Sequence, residues 1–436
     1  MPDQASAAGS SEVADAGWAV RRLGPLWRHR DFRRLWSAQA VSALGSQVTL
    51  LALPLTALLA LHARPYEVAL LATANTLPNL ALGIPTGVWI DRARRRLVMI
   101  GADLGRATML ASVPVAYGLG LLTLPQLYLV AVVDGSLSVL FEIASAAYLP
   151  SVVSSAQLIE ANAKFEGSRV VAWAAGPGAG GALVSLVTAP VALLADAASF
   201  LASAGLIGSM SARDELPRPA HDEVESKRRD LREGARYVLR HAHLRALLAS
   251  HALANLALGI VWAIVVVYAV RDLGLSAARV GVALSLGQIG GFAGAVLGRR
   301  VAQVAGVGRT VVVAFFLFGP ATLLLAAAAK TAAVLFVSVG WALENLARAL
   351  YGVTATSVRQ ALVPHTLQAR VVGFTTTAGT GAFPVGTAIG GALAGGLGLR
   401  QAMLVGALIS FLPFLPIAVS PLRSFRDLDP AAWMQV

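Results

Sequence analysis

Cysteine is absent from the 436 residues, which excludes disulfides, thiolate catalysis and thiolate metal ligands, while saying little about compartment. Charge is scarce as well. Asp, Glu, Lys and Arg make up 13% of the chain, far below the roughly 25% of a soluble domain. No G-x-x-x-x-G-K-S/T loop is present, so the usual phosphate cradle of an ATP-driven machine is missing. The seven histidines are scattered. His241 and His243 fall in a basic amphipathic stretch without zinc-like spacing and read as surface residues.

What fills the chain instead is apolar sequence, at 56% of residues. Runs of about twenty residues, the length that spans a hydrocarbon core of about 30 Å, recur along nearly its whole length. Twelve segments are expected, near 35–61, 66–90, 97–121, 124–148, 169–189, 190–210, 244–270, 275–298, 308–329, 331–351, 371–397 and 400–420. They do not alternate polar with apolar residues as barrel strands do. The fold class expected is therefore an all-α polytopic membrane protein with twelve transmembrane helices in two six-helix bundles. The bundles are residues 35–210 and 244–422, with a tail and interfacial segment at 1–34, a central loop at 211–243 and a tail at 423–436.

The first thirty residues hold no hydrophobic core or cleavage site, so the first membrane segment is expected to direct insertion. "MPDQASAAGSSEVADAG" reads as a disordered tail. The stretch "WAVRRLGPLWRHRDFRRLW" mixes Trp18, Leu26, Trp27 and Phe32 with arginines, which suits either a short helix at the membrane surface or a plain topological anchor. In the central loop, "SKRRDLREGARYVLRHAHLRALLA" sets Leu231, Tyr237, Val238 and Leu244 to one side, as a helix resting on the inner membrane surface would.

Orientation follows from the basic residues. With both termini cytoplasmic, all Lys and Arg lie inside except Arg64, Arg271, Arg279, Lys330 and Arg400, and Arg106 within the membrane. The net charge of +12 is then a topological device, and its division among separate loops gives no nucleic-acid surface. The two halves echo each other weakly. "LPSVVSSAQLIEAN" precedes segment 5 and "LVPHTLQARVVGF" precedes segment 11, each followed by a glycine-rich helix, the pattern of a rocking transporter.

Two motifs carry a family resemblance. "GVWIDRARRR", between segments 2 and 3, resembles the loop signature of the major facilitator superfamily, G-x-x-x-D-R-x-G-R-R. Gly87, Asp91, Arg92, Arg95 and Arg96 match, and Arg94 replaces the second glycine. The positive-inside rule alone would explain the arginines and leaves Asp91 unexplained. The resemblance implies that Asp91 docks on the positive N-terminal end of segment 11, a conformational latch worth only about 1 kcal/mol and so able to open every cycle. In segment 5, "AWAAGPGAGG" resembles the superfamily's antiporter motif, with Gly176, Pro177, Gly180 and Gly181 matching and Ala172 at the first glycine. Small residues allow close helix approach and proline disturbs the ladder, so this reads as a hinge, or as ordinary small-residue packing.

"RDFRRLWSAQAVSALG", "ADLGRA", "FEIASAAYLPSVV", "ANAKFEGSRVVAWAAGPGAGG" and "LLADAASFLASA" are similar to the branch with macrolide-type drug/proton antiporters and siderophore exporters, often called transmembrane secretion effectors. That branch usually carries an acid after "LG" in segment 1, where this chain has Ser46 and Gln47.

Charges inside the membrane are costly, about 2.5–3.5 kcal/mol each on insertion scales, and are functional candidates. Asp103 and Arg106 of segment 3 lie roughly 9 and 14 Å from its inner end, and Asp134 of segment 4 roughly 12 Å from its outer end. Glu142 matches the depth of Asp103. If these faces meet, three acids surround one arginine and at least one acid holds a proton. Glu142 is the leading carrier, with a static ion-pair network as the alternative. Asp196 reads as capping or packing, Glu344 and Arg348 as a stabilising i,i+4 pair, and Asn75, Asn79, Asn255 and Gln288 as cavity lining or interhelical glue.

The function these readings imply is export of a small hydrophobic or amphipathic compound by proton antiport and alternating access, in a bacterial cytoplasmic membrane. A lipid flippase, a solute importer or a non-transporting membrane sensor on the same fold remain open. No enzyme activity, cofactor or metal is expected, protons being the coupling ion, and the partners expected are a small-molecule substrate and the lipid bilayer around a monomer.

Overall fold

The computed structural model describes residues 25–90, 93–212, 223–364 and 366–425, which form helices and turns with no strand among them. The first half contains α1 (Arg30–Leu55), α2 (Pro65–Ile90), α3 (Arg95–Gly118), α4 (Leu124–Tyr148), α5 (Leu158–Val187) and α6 (Ala189–Gly208). A linking helix α7 (Glu223–Arg240) leads to α8 (Ala242–Arg271), α9 (Ala277–Ala305), α10 (Val307–Ala326) and α11 (Ala333–Leu362). The chain ends in α12 (Gln368–Thr380), α13 (Ala382–Leu397), α14 (Leu399–Ile409) and α15 (Phe414–Ala418). Ten of the helical segments are long and apolar enough to cross a membrane. The α12–α13 pair, interrupted at Gly381, and the 26-residue α2 complete twelve.

Connections are as short as the expected hairpins require. Gly306 alone separates α9 from α10 and Gly398 alone separates α13 from α14, with φ of 87° and 88°. Glycine meets that left-handed geometry without a Cβ clash. Thr188 occupies the corresponding turn between α5 and α6 with φ 123°, a strained setting for a β-branched residue. α1 runs past its internal Pro54 into a π-helical turn, Thr56–Ala60, where the Thr56 hydroxyl returns a 2.7 Å bond to the Ala52 carbonyl.

α5 begins eleven residues before, and α11 ends eleven residues after, the apolar runs that announce them. These overhangs are polar and support themselves, as in the Lys164–Glu160 and Arg169–Glu166 pairs at 3.4 and 2.7 Å. Hydropathy marks where a helix meets lipid, and backbone hydrogen bonding carries it further.

The halves pack with pseudo-symmetry. Gly176 and Gly180 of α5 lie against Gln47 and Val48 of α1, while Gly386 and Gly390 of α13 lie against Leu256, Gly259 and Ile260 of α8. Small residues let these backbones meet. α5 continues through Pro177 as one helix, so the matched motif appears as close packing, and the interruption falls in the other half at Gly381.

The apolar residues of α7 do not simply rest on lipid. Val238 is buried with Leu244, Val363 and Val371 against the start of α12, and the Tyr237 hydroxyl donates to the Leu362 carbonyl at 3.0 Å. Arg370 of α12 pairs with Asp230 at 2.8 Å and with Glu233. The Leu231 side chain lies outside the described residues. Near the N-terminus Leu26 and Phe32 are likewise buried inside the first half, with the Trp27 ring edge-on to Trp36 at 4.8 Å. Trp18, the rest of residues 1–24, and residues 426–436 lie outside the described part.

The end carrying Arg94–Arg96, Lys164, α7 and Arg370 is called the basic end below. At the opposite end a single apolar cluster draws Leu51, Val68, Ile264, Leu284 and Ala394 from both halves. At the basic end each half keeps its own clusters. Among the described residues, an apolar cluster thus joins the halves at one end and none does so at the other.

Candidate functional site

Between the halves lies a cavity of about 720 Å3. One wall comes from α1, α2, α3, α4, α5 and α6 and holds every charged lining residue: Arg106, Asp134, Glu142, Arg169 and Asp196. The other comes from α8, α9 and α13 and is aliphatic and aromatic, with Trp262, Val266, Leu284 and Phe383. Trp262 is stacked on Trp341 at 5.7 Å, which fixes the indole at the cavity edge.

The polar wall is built by close backbone approaches. At Gly135 a side chain would run into the Asn75 carbonyl, so the Asp134-Gly135 sequence lets α4 press on α2. Asn75 Nδ2 then donates to Asp134 Oδ2 at 3.0 Å. The other carboxylate oxygen accepts from Arg106 Nε at 3.0 Å, a buried pair with side-chain exposures of 8% and 9%. Arg106 also stacks its guanidinium 3.7 Å above the Phe200 ring and reaches Ser46 Oγ at 3.4 Å. Ser46 stands where the resembling branch carries an acid. Asp134 is the carboxylate that pairs with this arginine.

Gly45 does the same for α6, since a Cβ there would collide with Ser199 and Asp196. Asp196 accepts from the Thr49 and Ser199 hydroxyls and lies within electrostatic reach of Arg106 and Asp134. It belongs to the cluster rather than to the end of its helix. Its signal in the sequence was depth: seven residues into α6 is about 10 Å, well inside a core of about 30 Å.

The four residues expected to couple protons divide. Arg106 and Asp134 pair. Glu142 faces the open cavity, makes no hydrogen bond or ion pair among the described residues, and feels Arg106 and Arg169. Asp103 does not line the cavity. It is fully buried against Ser203 of α6, whose hydroxyl acts on its carboxyl group. The expected ring of three acids around one arginine thus contains Asp134, Glu142 and Asp196, with Asp103 behind it, because the face of α3 that carries Asp103 turns to α6.

Of the four amides expected to line the cavity, Asn75 does. Asn79 is exposed elsewhere, Gln288 is half-buried outside it, and Asn255 is buried with its amide on the His251 carbonyl at 2.9 Å. Helix rotation decides this: each amide is polar and mid-helix, but only one turns inward.

Of the latch residues, Asp91 and Arg92 lie outside the described residues, as do the surroundings of Gly87 in α2. Arg95 donates to the Ala147 carbonyl at 2.9 Å, and Arg96 to the carbonyls of Ile207 and Gly208. Both guanidiniums satisfy carbonyls at the C-terminal ends of α4 and α6, where positive charge is favoured.

Across the halves, hydrogen bonds among the described residues gather at the closed end and along the cavity roof. Arg271 donates to the Ala63 carbonyl at 2.7 Å, Ala278 N–H to Ser185 Oγ at 3.1 Å, Gly178 N–H to Ser285 Oγ at 2.9 Å, and Thr73 to Thr387 at 3.0 Å. Gly181 meets the Ala277 carbonyl and Gly281 the Pro177 carbonyl, with no room for a Cβ at either. No group of three His, Cys, Asp or Glu suited to a metal comes together among the described residues.

Comparison with known proteins agrees with this architecture. The pattern of the Major Facilitator Superfamily matches residues 35–378. The chain is 27% identical over 408 residues to the uncharacterized MFS-type transporter YfiS of Bacillus subtilis (strain 168), covering 87% of this chain and 91% of that one. Among solved structures, a bacterial homologue of the iron transporter ferroportin in its inward-facing state superposes with a TM-score of 0.70, at 16% identity over 89% of this chain and 99% of that one. The same kind of protein in an outward-facing state, at 17% identity and the same coverage, reaches 0.56.

Proposed function

The chain belongs to the major facilitator superfamily and is a membrane transporter, and from that premise we propose that it exports a small hydrophobic or amphipathic compound in exchange for protons. The observation that carries the reading is the two-sided cavity, which offers an apolar and aromatic wall to a substrate and a carboxylate unpaired among the described residues, Glu142, to water. A drug-sized ligand is accommodated in pockets of about 300–1,000 Å3 lined mainly by apolar groups with a few polar ones. The volume here lies within that range.

In this reading the basic end is cytoplasmic, in keeping with the positive-inside rule, and the molecule is inward-facing. The apolar cluster that, among the described residues, joins the halves only at the opposite end supports that state, as does the better superposition on an inward-facing relative. Glu142 exchanges its proton with cytoplasmic water, while Arg106 is held by Asp134 and tethers the local field. Asp196, Ser46 and Asn75 shape that field. The loop signature of Gly87, Asp91, Arg92, Arg95 and Arg96 closes the basic end in the outward-facing state, and the glycines flanking Pro177 let α5 slide on α1 and α9. The protein works as a monomer in a bacterial cytoplasmic membrane.

One proton crossing about 100 mV supplies about 2.3 kcal/mol, under two decades of substrate gradient at about 1.4 kcal/mol per decade. Inverted membrane vesicles and ethidium, a lipophilic cation, test the reading. Vesicles with the wild-type protein should accumulate the dye when their lumen is acidified and release it when a protonophore is added. Glu142→Gln should lose this pH-driven uptake and keep dye exchange at equal concentration. Unimpaired pH-driven uptake by a folded Glu142→Gln protein would reject the carrier role, and uptake only under the reverse gradient would make the protein an importer.

A further inference from the structure

Basic residues are sparse at the end opposite the basic end, yet three of the five there converge. Arg271 closes α8 and Asp272 follows it, Lys330 precedes α11, and Arg400 lies in the first turn of α14; together with Tyr268 they line a second cavity of about 590 Å3. It is separate from the central cavity and shares no lining residue with it. Asp272 is its only acid. All three cations act on that carboxyl, which burial nevertheless pushes above its ordinary range. One carboxylate offsets at most one of three positive charges, so the cavity keeps a surplus of two.

Among the described residues Lys330 and Arg400 make no hydrogen bond or ion pair. Arg271 spends one N–H on the Ala63 carbonyl, in the turn between α1 and α2. A guanidinium has five donors in a planar fork, so most of them stay available. Two guanidiniums and an ammonium around one space form a donor set suited to a tetrahedral oxyanion, which accepts paired bonds from Arg and a point charge from Lys.

We propose that this cavity binds a phosphate oxyanion, either free or as the headgroup of an anionic phospholipid. The ends of membrane-crossing helices put it at headgroup level, where lipid phosphates lie. Its place beside the Arg271–Ala63 bond ties it to the contact that closes this end. Bound phosphate adds a partner for Arg271 while the halves are joined, so the closed arrangement gains from occupancy.

The test uses the full chain and two probes. Inorganic phosphate is titrated against the detergent-solubilised protein, following thermal stability with sulfate-free chloride buffer as the reference. Lipid retention is measured by native mass spectrometry after reconstitution with phosphatidylglycerol or with phosphatidylcholine. Phosphate should raise the melting temperature, phosphatidylglycerol should be retained over phosphatidylcholine, or both should occur. Whichever probe binds the wild type should bind roughly tenfold more weakly for each cation removed in Lys330→Ala and Arg400→Ala. Asp272→Asn should bind it more tightly. Both lysine and arginine side chains are exposed, so these variants should melt like the wild type without ligand. Retention of phosphatidylglycerol alone identifies a lipid site, and a phosphate response alone a soluble-anion site. Binding of neither probe, or binding unchanged in the double variant Lys330→Ala/Arg400→Ala, overturns the proposal.

Discussion

A side chain at Gly281 should hold the closed end apart. A Cβ there would stand 2.9 Å from the Pro177 carbonyl carbon and 3.2 Å from the Gly178 Cα, and closer still to the Pro177 oxygen. Ordinary contact begins near 3.4 Å, and the obstacle is backbone on the opposite half, which cannot rotate aside. The helices must therefore separate by more than half an ångström for alanine, and by more for valine. Forcing bulk into a packed contact costs about 1–3 kcal/mol, which alters a two-state equilibrium by about 5–150-fold. Because the contact exists only when this end is closed, the cost falls on one state. The chain has no cysteine, so introduced pairs can be spin-labelled without background. Labels at Leu121 and Leu397 report the closed end, and labels at Ile159 and Val304 the basic end; all four positions are exposed. Gly281→Val should lengthen the first distance and shorten the second. Gly101→Ala is the control, with nothing within 4 Å of an added Cβ. Distance distributions identical to the wild type in a folded Gly281→Val protein would refute the reasoning.

Two further outcomes follow from the charged groups. Arg106→Leu leaves Asp134 buried without its cation and should destabilise by about 3–5 kcal/mol, whereas Arg106→Leu/Asp134→Leu should recover most of the loss. Thermal melting in detergent checks both, and a single variant that melts like the wild type would count against the pair. Arg370→Ala should free α7 from α12. The ion pairs to Asp230 and Glu233 are partly exposed and each is worth about 0–1 kcal/mol, so the variant should speed hydrogen exchange across 223–240 while transport persists. Unchanged exchange there would assign the docking to Val238 and Tyr237 alone.

The apolar runs made twelve crossings legible, because lipid contact and hydropathy are the same quantity read twice. They did not disclose the overhangs at Leu158 and Leu362, whose polar turns lie beyond the hydrocarbon. The matching depths of Arg106 and Asp134 were legible, but which of the three acids takes the arginine was not. Asp103 and Asp196 exchanged places relative to expectation, since depth does not tell which neighbour a helix face meets. Asn75 and Asn79, four apart, illustrate the same gap: tilt and the Gly135 contact bring one onto Asp134 and leave the other exposed. The glycines at 45 and 135 carried the site as much as the charges did, yet in the sequence they look like any small residue in a membrane helix.

The unequal walls of the central cavity divide its labour. Titratable groups are confined to the first half, and what opposes them is hydrocarbon and aromatic surface from α8, α9 and α13. Exchanging Trp262, Leu284 or Phe383 for other apolar groups would recut the shape that a cargo must fit and leave every ionisable group where it stands. Under the proposed mechanism, selectivity and energy conversion are set on opposite faces of one chamber, and each can change without the other.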